Sequence, residues 1–280
     1  MIQAHNTISK KVTIAVNGYK NPELLRQCLH SIQENMGGVP FDYEVLVCDS
    51  ATEDDTRLLM NQEFPEVRFF PNKENVGFKR LFNTSLLEAK GEYVFIINSD
   101  VLLTETSVAE LLRYLEAHPE IGVLGPKQLY FNGSFQQTAF RFYQPLTIVY
   151  RRTFLGKTSF GKKHIDWFTM KGVDFTKPLA VDWVIGSAMF VKRDVALEKV
   201  GLMDEDFFMY MEDVDWCRRF WEQGLEVVYH PDITIYHYHA KGSAKGGVLK
   251  GLFSNKLTWH HINSARKYFW KYRGKKSPRN

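Results

Sequence analysis

The chain has 280 residues, of which 44% are hydrophobic, 14% aromatic and 24% charged. This composition excludes a disordered chain, a collagen-like repeat and a coiled coil. The formal charge of +4 conceals two opposite parts, since residues 1–232 contain 25 basic and 32 acidic residues, whereas residues 233–280 contain 11 basic residues and no acid. We therefore expect the C-terminal part to contact something anionic: nucleic acid, a membrane surface or a phosphorylated small molecule.

The cysteines and the first residues predict an intracellular protein. Cys28, Cys48 and Cys217 are far apart and form no CxxC pattern, which disfavours a disulfide scaffold or a zinc site. The opening MIQAHNTISKK lacks the apolar segment of a signal peptide. The best candidate for a membrane span, residues 179–191, is interrupted by Asp182. We expect a soluble, cytoplasmic protein.

The first half of the chain alternates short apolar strands with helical patterns. Strands are predicted at 12–16, 43–49, 67–70, 93–98 and 121–125, and helices at 22–35, from about 54, at 78–89 and at 106–117. This alternation predicts an α/β fold, with a mostly parallel central sheet and helices on both faces. Such sheets bind ligands at the carboxyl ends of their strands, where Asp49 and Asp100 lie in the sequence.

The second half is less regular. Residues 126–180 are aromatic, basic and without clear periodicity, which is typical of a lid or an acceptor-binding excursion. A strand pair is predicted at 181–194, a helix at 213–223, two strands at 226–230 and 233–239, and a helical segment from about 253 to 272.

Six acids lie between Asp204 and Asp215, interleaved with aromatic residues. Burial and mutual repulsion raise the pKa of such carboxyl groups, which suits a general base. Helical spacing puts Asp213 on the face that points into the protein, so it is the candidate base. Asp215 precedes Arg219 by four residues and is predicted to form a solvated ion pair. Asp204 and Asp206 are more typical of loop-shaping or acceptor contacts.

Two further patterns suggest metal or phosphate binding. Asp100 ends an apolar strand, where it could ligate a divalent cation or simply cap the next element. His237 and His239 share one face of a strand, so either could ligate a metal, and a surface pair is the alternative. Lys241 and Lys245 lie in a glycine-rich segment that could close over phosphates or be an ordinary loop.

Taken together, these segments resemble family-2 inverting glycosyltransferases of the GT-A fold, in particular their bacterial L-rhamnosyltransferase-like branch. The resemblance covers nearly the whole chain. It is carried by VTIAVNGYKNPELL, YEVLVCDSATEDDT, NKENVGFKRLFNTSL, GEYVFIINSDVLL, VDWVIGSAMFVKRD, GLMDEDFFMYMEDVDWCRR and PDITIYHYH. Gly18 is an additional residue compared with the usual pattern of the first strand.

The resemblance implies a role for each matching residue. The donor nucleotide would contact Val16, Asn17, Asp49, Asn75, Gly77, Phe78, Asn83 and Asn98, with Lys241 and Lys245 as candidate phosphate contacts. Asp100 and His237 would hold Mg²⁺ or Mn²⁺, and Asp213 would be the catalytic base. Trp183, Gly186, Asp204, Asp206 and Glu212 would lie near the sugar and the acceptor.

The implied function is transfer of L-rhamnose from dTDP-L-rhamnose to a hydroxyl of a cell-surface glycan or lipid-linked acceptor. A UDP-hexose or UDP-N-acetylhexosamine donor is the alternative within the same enzyme class. A non-catalytic glycan- or nucleotide-binding module is an alternative from another class, and a nucleic-acid-binding protein is disfavoured by the acidic body.

The resemblance also implies a division of the chain. We expect a catalytic domain of residues 1–250, with a nucleotide-binding half at 1–125 and an acceptor half at 126–250. Residues 251–280 form a basic, aromatic helix and tail. This helix could lie on anionic lipid at the inner face of the membrane, or it could pack on the catalytic domain.

Overall fold

The computed structural model describes residues 10–207, 209–238 and 256–279, without the side chains of 256–258. Lys241, Lys245 and His239, three candidates from the sequence, lie outside these residues. Within the described ranges, no helix combines the length and the apolar character that crossing a membrane requires. All three cysteines are free thiols in buried positions.

The strands are, in chain order, β1 Lys10–Tyr19, β2 Tyr43–Ser50, β3 Arg68–Pro71, β4 Gly91–Asn98, β5 Val101–Leu102, β6 Ile121–Leu129, β7 Phe135–Gln136, β8 Ala139–Phe140, β9 Leu179–Ala180, β10 Trp183–Val184, β11 Ala188–Lys192 and β12 Glu226–His237. The main sheet has the order β3-β2-β1-β4-β11-β6-β12-β5, with β7 beside β6 and β9 beside β12, and β8 pairs with β10 separately. β3, β2, β1 and β4 are parallel, as are β6 and β12. The predicted mostly parallel α/β sheet is confirmed.

The helices are α1 Pro22–Asn35, α2 Asp54–Glu63, α3 Phe78–Glu88, α4 Ser107–Ala117, α5 Thr147–Arg152, α6 Ser159–Phe168, α7 Glu212–Glu222 and α8 Lys256–Lys271. A 3₁₀ turn at Phe154–Lys157 joins α5 to α6, and a π-helical turn lies at Val195–Val200. The start of α1 is encoded locally, because the Oδ1 of Asn21 accepts a hydrogen bond from the N–H of Leu24 at 3.1 Å and Pro22 occupies the first helical position.

Two apolar cores cover opposite faces of the sheet. On β1, Ile14 and Val16 belong to the core that contains residues of α1, α2 and α4. Ala15, between them, belongs to the core that contains residues of α3, α7 and α8. This alternation along a buried central strand places helices on both faces, as the sequence predicts.

Three parts of the second half differ from the sequence-based expectation. The segment predicted as irregular contains α5 and α6. β11 enters the sheet antiparallel between β4 and β6. The two strands predicted at 226–230 and 233–239 form one strand, β12, with a shift of register between His230 and Thr234. Pro231 lies in that shift, where it donates no ladder hydrogen bond.

Candidate functional site

A pocket with a volume of about 330 Å³ opens at the carboxyl ends of β1 and β4. The sequence-predicted candidates that line it are Asn17, Asn75, Gly77, Phe78, Asn98 and Asp100. The N–H of Ser99 donates to the carbonyl of Asn17 at 2.9 Å and ties the two strand ends together. The parallel sheet therefore gathers residues that are up to 83 positions apart in sequence, from Asn17 to Asp100.

Asp49 lies next to this pocket, opposite Gly18 in the β1–β2 ladder. A Cβ on Gly18 would come 2.6 Å from the Oδ1 of Asp49, so only glycine fits at this position without a shift. Asp49 is 2% exposed, and burial raises the pKa of its carboxyl group. The Oδ2 of Asp49 and the Nδ2 of Asn17 are both buried without a hydrogen-bond partner in the described part of the chain. Because such atoms are costly, both suit a ligand with complementary polar groups.

Asn75 shapes the loop that leads into α3. Its Oδ1 accepts hydrogen bonds from the N–H of Gly77 at 3.0 Å and from the hydroxyl of Ser50 at 3.3 Å. Gly77 has a φ of 78°, in the region that favours glycine. This turn places Phe78, the first residue of α3, in the wall of the pocket.

Asp100 and His237 face each other at one end of the pocket. The antiparallel pairing of β5 with β12 brings them together, and the carbonyl of Asp100 accepts from the N–H of Tyr238 at 2.9 Å. The Oδ1 of Asp100 lies 3.3 Å from the Nε2 of His237. The Nδ1 of His237 lies 3.1 Å from the Oε1 of Gln136, which as an acceptor requires the ring proton on Nδ1.

These contacts fit a divalent cation. The Nε2 of His237 and the Oδ1 of Asp100 are both atoms that can ligate a cation, and they lie on the same side of the pocket end. Two ligands of one octahedral ion at about 2.1 Å are about 3 Å apart, close to the observed separation. No third His, Cys, Asp or Glu completes a metal-binding group within the described ranges. A ligand's phosphate oxygens would therefore have to supply further positions.

Asp213 lies in the first turn of α7, close to the end of β4. Its Oδ2 accepts from the N–H of Gly186 at 3.3 Å, and its Oδ1 from the N–H of Val214 at 2.9 Å. The neighbouring Ser187 carbonyl accepts from the N–H of Asn98 at 3.0 Å, which links Asp213 to the pocket. Asp213 as a residue is partly exposed. Desolvation by the surrounding protein nevertheless raises its pKa to about 6, which suits a general base near neutral pH.

Glu212 is the buried neighbour of Asp213. It is 6% exposed, and its Oε2 has no hydrogen-bond partner among the described residues. Burial, followed by the charge of Asp213, raises the pKa of Glu212 well above its ordinary value. Burial and the neighbouring charge thus both favour the protonated form of Glu212.

The turn before α7 is strained and is held by α8. Tyr210 and Met211 have φ values of 67° and 72°, a conformation that is rare for residues other than glycine. From α8, the hydroxyl of Ser264 donates to the carbonyl of Met209 at 2.9 Å, and the Nζ of Lys267 donates to the carbonyl of Asp206 at 2.7 Å. The ring of Tyr210 stacks on His261 of the same helix. α8 thus holds in place the turn that precedes Asp213 and positions this residue.

The predicted solvated ion pair of Asp215 is wrong, because this carboxylate is 0% exposed. Its Oδ2 accepts from Arg219 at 3.0 Å, while its Oδ1 faces the Nζ of Lys271 and the hydroxyl of Tyr272, each at 2.7 Å. Lys271 also pairs with Asp204. The four-residue spacing within α7 correctly predicted the pairing of Asp215 with Arg219. No feature of the neighbouring sequence indicated that α8 would bury this pair.

The polar candidates Asp204 and Asp206 therefore lie against α8. Burial would raise the pKa of Asp204, but the hydrogen bond from Lys271 and the N–H of Asp206 lower it. Sequence reasoning missed Ser264, Lys267 and Lys271 as residues that organise the site. Their spacing of three and four places them on one face of the helix, which the sequence does show. The sequence does not show which segment of the chain that face contacts.

Two donor-site candidates point away from the pocket. Val16 is fully buried in the core beneath α1. Asn83 is buried in α3 and makes a reciprocal pair with the backbone of Met203, with distances of 3.0 and 2.8 Å. Both side chains therefore make contacts in the protein interior and do not line the pocket.

A second cavity, of about 770 Å³, lies beside α7 and α8 and shares no lining residue with the first. It is basic and aromatic, and its lining includes Arg141, Tyr143, Trp167, Arg218, Arg273 and Arg279. Trp183 lies behind it, stacked on Phe140 at 4.8 Å, with its Nε1 donating to the carbonyl of Arg141 at 2.8 Å.

Comparison with known proteins identifies relatives of this chain. The family described as Glycosyl transferase family 2 matches residues 12–177. The chain is 28% identical, over 240 residues, to the N-acetylglucosaminyl-diphospho-decaprenol L-rhamnosyltransferase of Mycobacterium tuberculosis, covering 81% of this chain and 76% of that protein.

Solved structures share the fold. The mannosyltransferase PcManGT of Pyrobaculum calidifontis, in complex with GDP-Man and Mn²⁺, superposes with a TM-score of 0.55 at 20% identity, over 84% of this chain and 59% of that one. GalNAc-T7 with UDP, GalNAc and Mn²⁺ superposes with a TM-score of 0.58 at 13% identity, over 81% and 43%. These likenesses agree with the fold predicted from the sequence.

Proposed function

Since the chain belongs to glycosyl transferase family 2, we propose that it transfers L-rhamnose from dTDP-L-rhamnose to a hydroxyl group of a glycan or lipid-linked acceptor, with inversion at the anomeric carbon. The similarity to the mycobacterial rhamnosyltransferase supports this donor sugar and this class of acceptor. The observation that carries the proposal is Asp213, a partly exposed residue in the first turn of α7 whose carboxyl group has a pKa raised by burial to about 6 and which is linked to the end of β4 through residues 186–187.

In the proposed reaction, Asp213 takes the proton of the acceptor hydroxyl as its oxygen attacks the anomeric carbon. The bond between that carbon and the diphosphate oxygen breaks, and the nucleoside diphosphate leaves. Because burial favours the protonated form of Glu212, Asp213 would be the charged member of the pair. The N–H groups of Gly186 and Val214 orient the carboxylate throughout.

The pyrimidine of the donor would occupy the pocket beside Asp49. The unpartnered Oδ2 of Asp49 is an acceptor for the imide N–H of the base, and the Nδ2 of Asn17 is a donor for a base carbonyl. Phe78 would pack against the donor from the wall of the pocket. Thymine and uracil both carry these groups, so this pocket alone does not select dTDP over UDP.

Asp100 and His237 would hold Mg²⁺ or Mn²⁺, together with oxygens of the donor's diphosphate. When bound, such an ion offsets the negative charge that develops on the leaving group. Gln136 would keep the imidazole of His237 in the tautomer that ligation needs.

The basic cavity beside α7 would receive an anionic part of the acceptor, such as a diphosphate. Arg218 and Asp213 lie on the same helix, and Arg141 has no carboxylate partner among the described residues. We expect Arg141→Ala to raise the acceptor KM and to leave the donor KM unchanged. An equal effect on both would argue against this placement.

The central experiment is Asp213→Asn. We expect transfer to fall by at least about a hundredfold, the usual contribution of a general base, while donor binding, followed by calorimetry, is retained. Asp232→Asn is the matched control, because Asp232 is exposed and lines neither of the two cavities. Wild-type rates in Asp213→Asn would overturn the assignment of the base.

A thermal-shift screen with nucleotide sugars and Mn²⁺ tests the donor. Greater stabilisation by dTDP-L-rhamnose than by the UDP-sugars would support the proposal. Greater stabilisation by a UDP-hexose or UDP-N-acetylhexosamine would identify that nucleotide sugar as the donor instead. Binding without metal-dependent turnover, checked with EDTA, would instead indicate a non-catalytic binding module.

A further inference from the structure

The α5–α6 hairpin, residues 146–168, exposes large apolar side chains to solvent. Phe160 is 82% exposed and Phe154 is 73% exposed, and Leu146, Val149 and Leu155 are between 37% and 53% exposed. Single exposed apolar residues are ordinary, but a group of them in one short segment marks an interaction surface.

Two glycines make this hairpin compact. A Cβ on Gly156 would come 2.1 Å from the carbonyl oxygen of Tyr150, and one on Gly161 would come 2.0 Å from that of Leu155. The hydroxyl of Thr158 accepts from the N–H of Gly161 at 3.2 Å and starts α6. With the backbones in such close contact, the exposed aromatic side chains lie on the outside of a closely packed unit.

The charge of the hairpin is also one-sided. From Ile121 to Ile165 the chain contains no acid and seven basic residues. Four of them, Arg151, Lys157, Lys162 and Lys163, are exposed in the hairpin, and none has a carboxylate partner within the described ranges. Apolar side chains next to cations that lack a carboxylate partner are the composition of a segment that lies in the interface of an anionic bilayer.

We propose that the α5–α6 hairpin docks on a membrane surface that contains anionic lipid, with Phe154 and Phe160 inserted among the acyl chains and the lysines at the headgroups. This surface is different from the basic tail that the sequence singled out. Tyr268 on the inner face of α8 and Tyr272, the residue after α8, are buried in the core that contains residues of α3 and α7. The proposal concerns binding alone and does not depend on the proposed reaction.

Two other occupants fit less well. A second copy of the chain in a symmetric contact would bring the same four cations together, which is unfavourable. Single-stranded nucleic acid could stack on Phe154 and Phe160, but Leu146, Val149 and Leu155 offer no stacking face. The aliphatic and aromatic side chains together favour lipid.

The first test is cosedimentation with vesicles of equal parts phosphatidylglycerol and phosphatidylcholine, and with phosphatidylcholine alone. We expect binding to the anionic vesicles that weakens with salt. The double variant Phe154→Ser and Phe160→Ser should bind at least about tenfold more weakly. The matched control is Leu58→Ser with Leu87→Ser, two leucines on α2 and α3 that are 54% and 53% exposed. Equal losses in both variants, or no binding by the wild type, would overturn the proposal.

A site-specific label distinguishes the outcomes. Because the three native cysteines are buried, a cysteine introduced as Phe160→Cys can be labelled selectively with an environment-sensitive dye. We expect a blue shift of its emission with anionic vesicles and none for the same label at Leu58→Cys. A shift that needs only higher protein concentration would identify a second copy as the occupant. A shift with single-stranded RNA and not with vesicles would identify nucleic acid, and either result overturns the proposal.

Discussion

The hydroxyl of Tyr272 donates a hydrogen bond of 2.7 Å to the Oδ1 of Asp215, a carboxylate without exposed surface two residues beyond the candidate base. The bond joins the residue that follows α8 to α7, so the C-terminal residues form part of the structure that positions Asp213. Since the same carboxylate also pairs with Arg219 and Lys271, α7 is anchored by a buried network of charges.

The first prediction follows from this bond. Tyr272→Phe removes one donor from a buried carboxylate, so we expect the free energy of unfolding to fall by about 1–3 kcal/mol. Chemical denaturation measures the change. Tyr238→Phe is the control, because Tyr238 is half exposed and should lose little. Equal stability of Tyr272→Phe and the wild type would show that the bond contributes nothing.

The second prediction concerns the pH dependence of transfer. Asp213 acts as a base only when it is deprotonated, and its pKa is raised by burial to about 6. We therefore expect kcat/KM to rise with pH and to level off above about 6, as steady-state rates across buffers of constant ionic strength would show. A flat profile from pH 5 to 7 would be incompatible with Asp213 as the base.

The third prediction concerns Glu212 and stability. Its folded-state pKa lies above the unfolded value, so between the two the folded protein holds the additional proton. The free energy of unfolding must then decrease as pH rises above the ordinary value of a glutamic acid. We expect Glu212→Gln to be more stable than the wild type at pH 8 and to depend less on pH.

Urea unfolding of both proteins at several pH values measures this difference. Glu222→Gln serves as the control, since Glu222 is partly exposed and pairs with Arg218. If Glu212→Gln were less stable than the wild type at every pH, the carboxyl group would be ionised and paired in the native state.

The fourth prediction addresses metal affinity. Gln136 accepts from the Nδ1 of His237 and so orients the ring towards Asp100. We expect Gln136→Ala to weaken Mn²⁺ binding by about 10- to 100-fold, as the loss of such a partner usually does. Titration of Mn²⁺ in the presence of UDP, followed by electron paramagnetic resonance, measures this. Gln137→Ala, the neighbouring glutamine, is the control, and equal affinities for the two variants would contradict the assignment.

The fifth prediction tests the contact between Gly18 and Asp49. The new methyl group of Gly18→Ala would meet the Oδ1 of Asp49 at 2.6 Å and displace the carboxylate. We expect nucleotide affinity, measured by calorimetry with UDP and dTDP, to fall by at least about tenfold, with a stability loss of about 1–3 kcal/mol. Gly37→Ala should have little effect, because its nearest contacts are at 3.8 Å or more. Unchanged affinity in Gly18→Ala would separate Asp49 from the nucleotide.

The pocket contains some contacts that the local sequence pattern predicts and others that it does not. Asn17, Asp49, Asn98 and Asp100 lie at or just after the carboxyl ends of buried strands predicted from the sequence, and parallel strands bring these ends to one edge, so their proximity could be predicted. The orientation of Asn83 could not be predicted in this way. The sequence predicts its position in α3, but its hydrogen bonds with the backbone of Met203 join residues 120 positions apart.

The acid-rich segment shows the same division. Sequence alone determined that Asp213 points inward among apolar groups, because helical spacing with Cys217 and Phe220 is a local property. Whether Asp215 is solvated was decided by the end of α8 and the residue after it, because Lys271 and Tyr272 cover the carboxylate. The opposite charges of the body and the C-terminal residues, visible in composition, are thus partly joined in the fold. Periodicity records which face of an element is apolar, whereas burial depends on which distant element covers that face, and only the tertiary structure decides this.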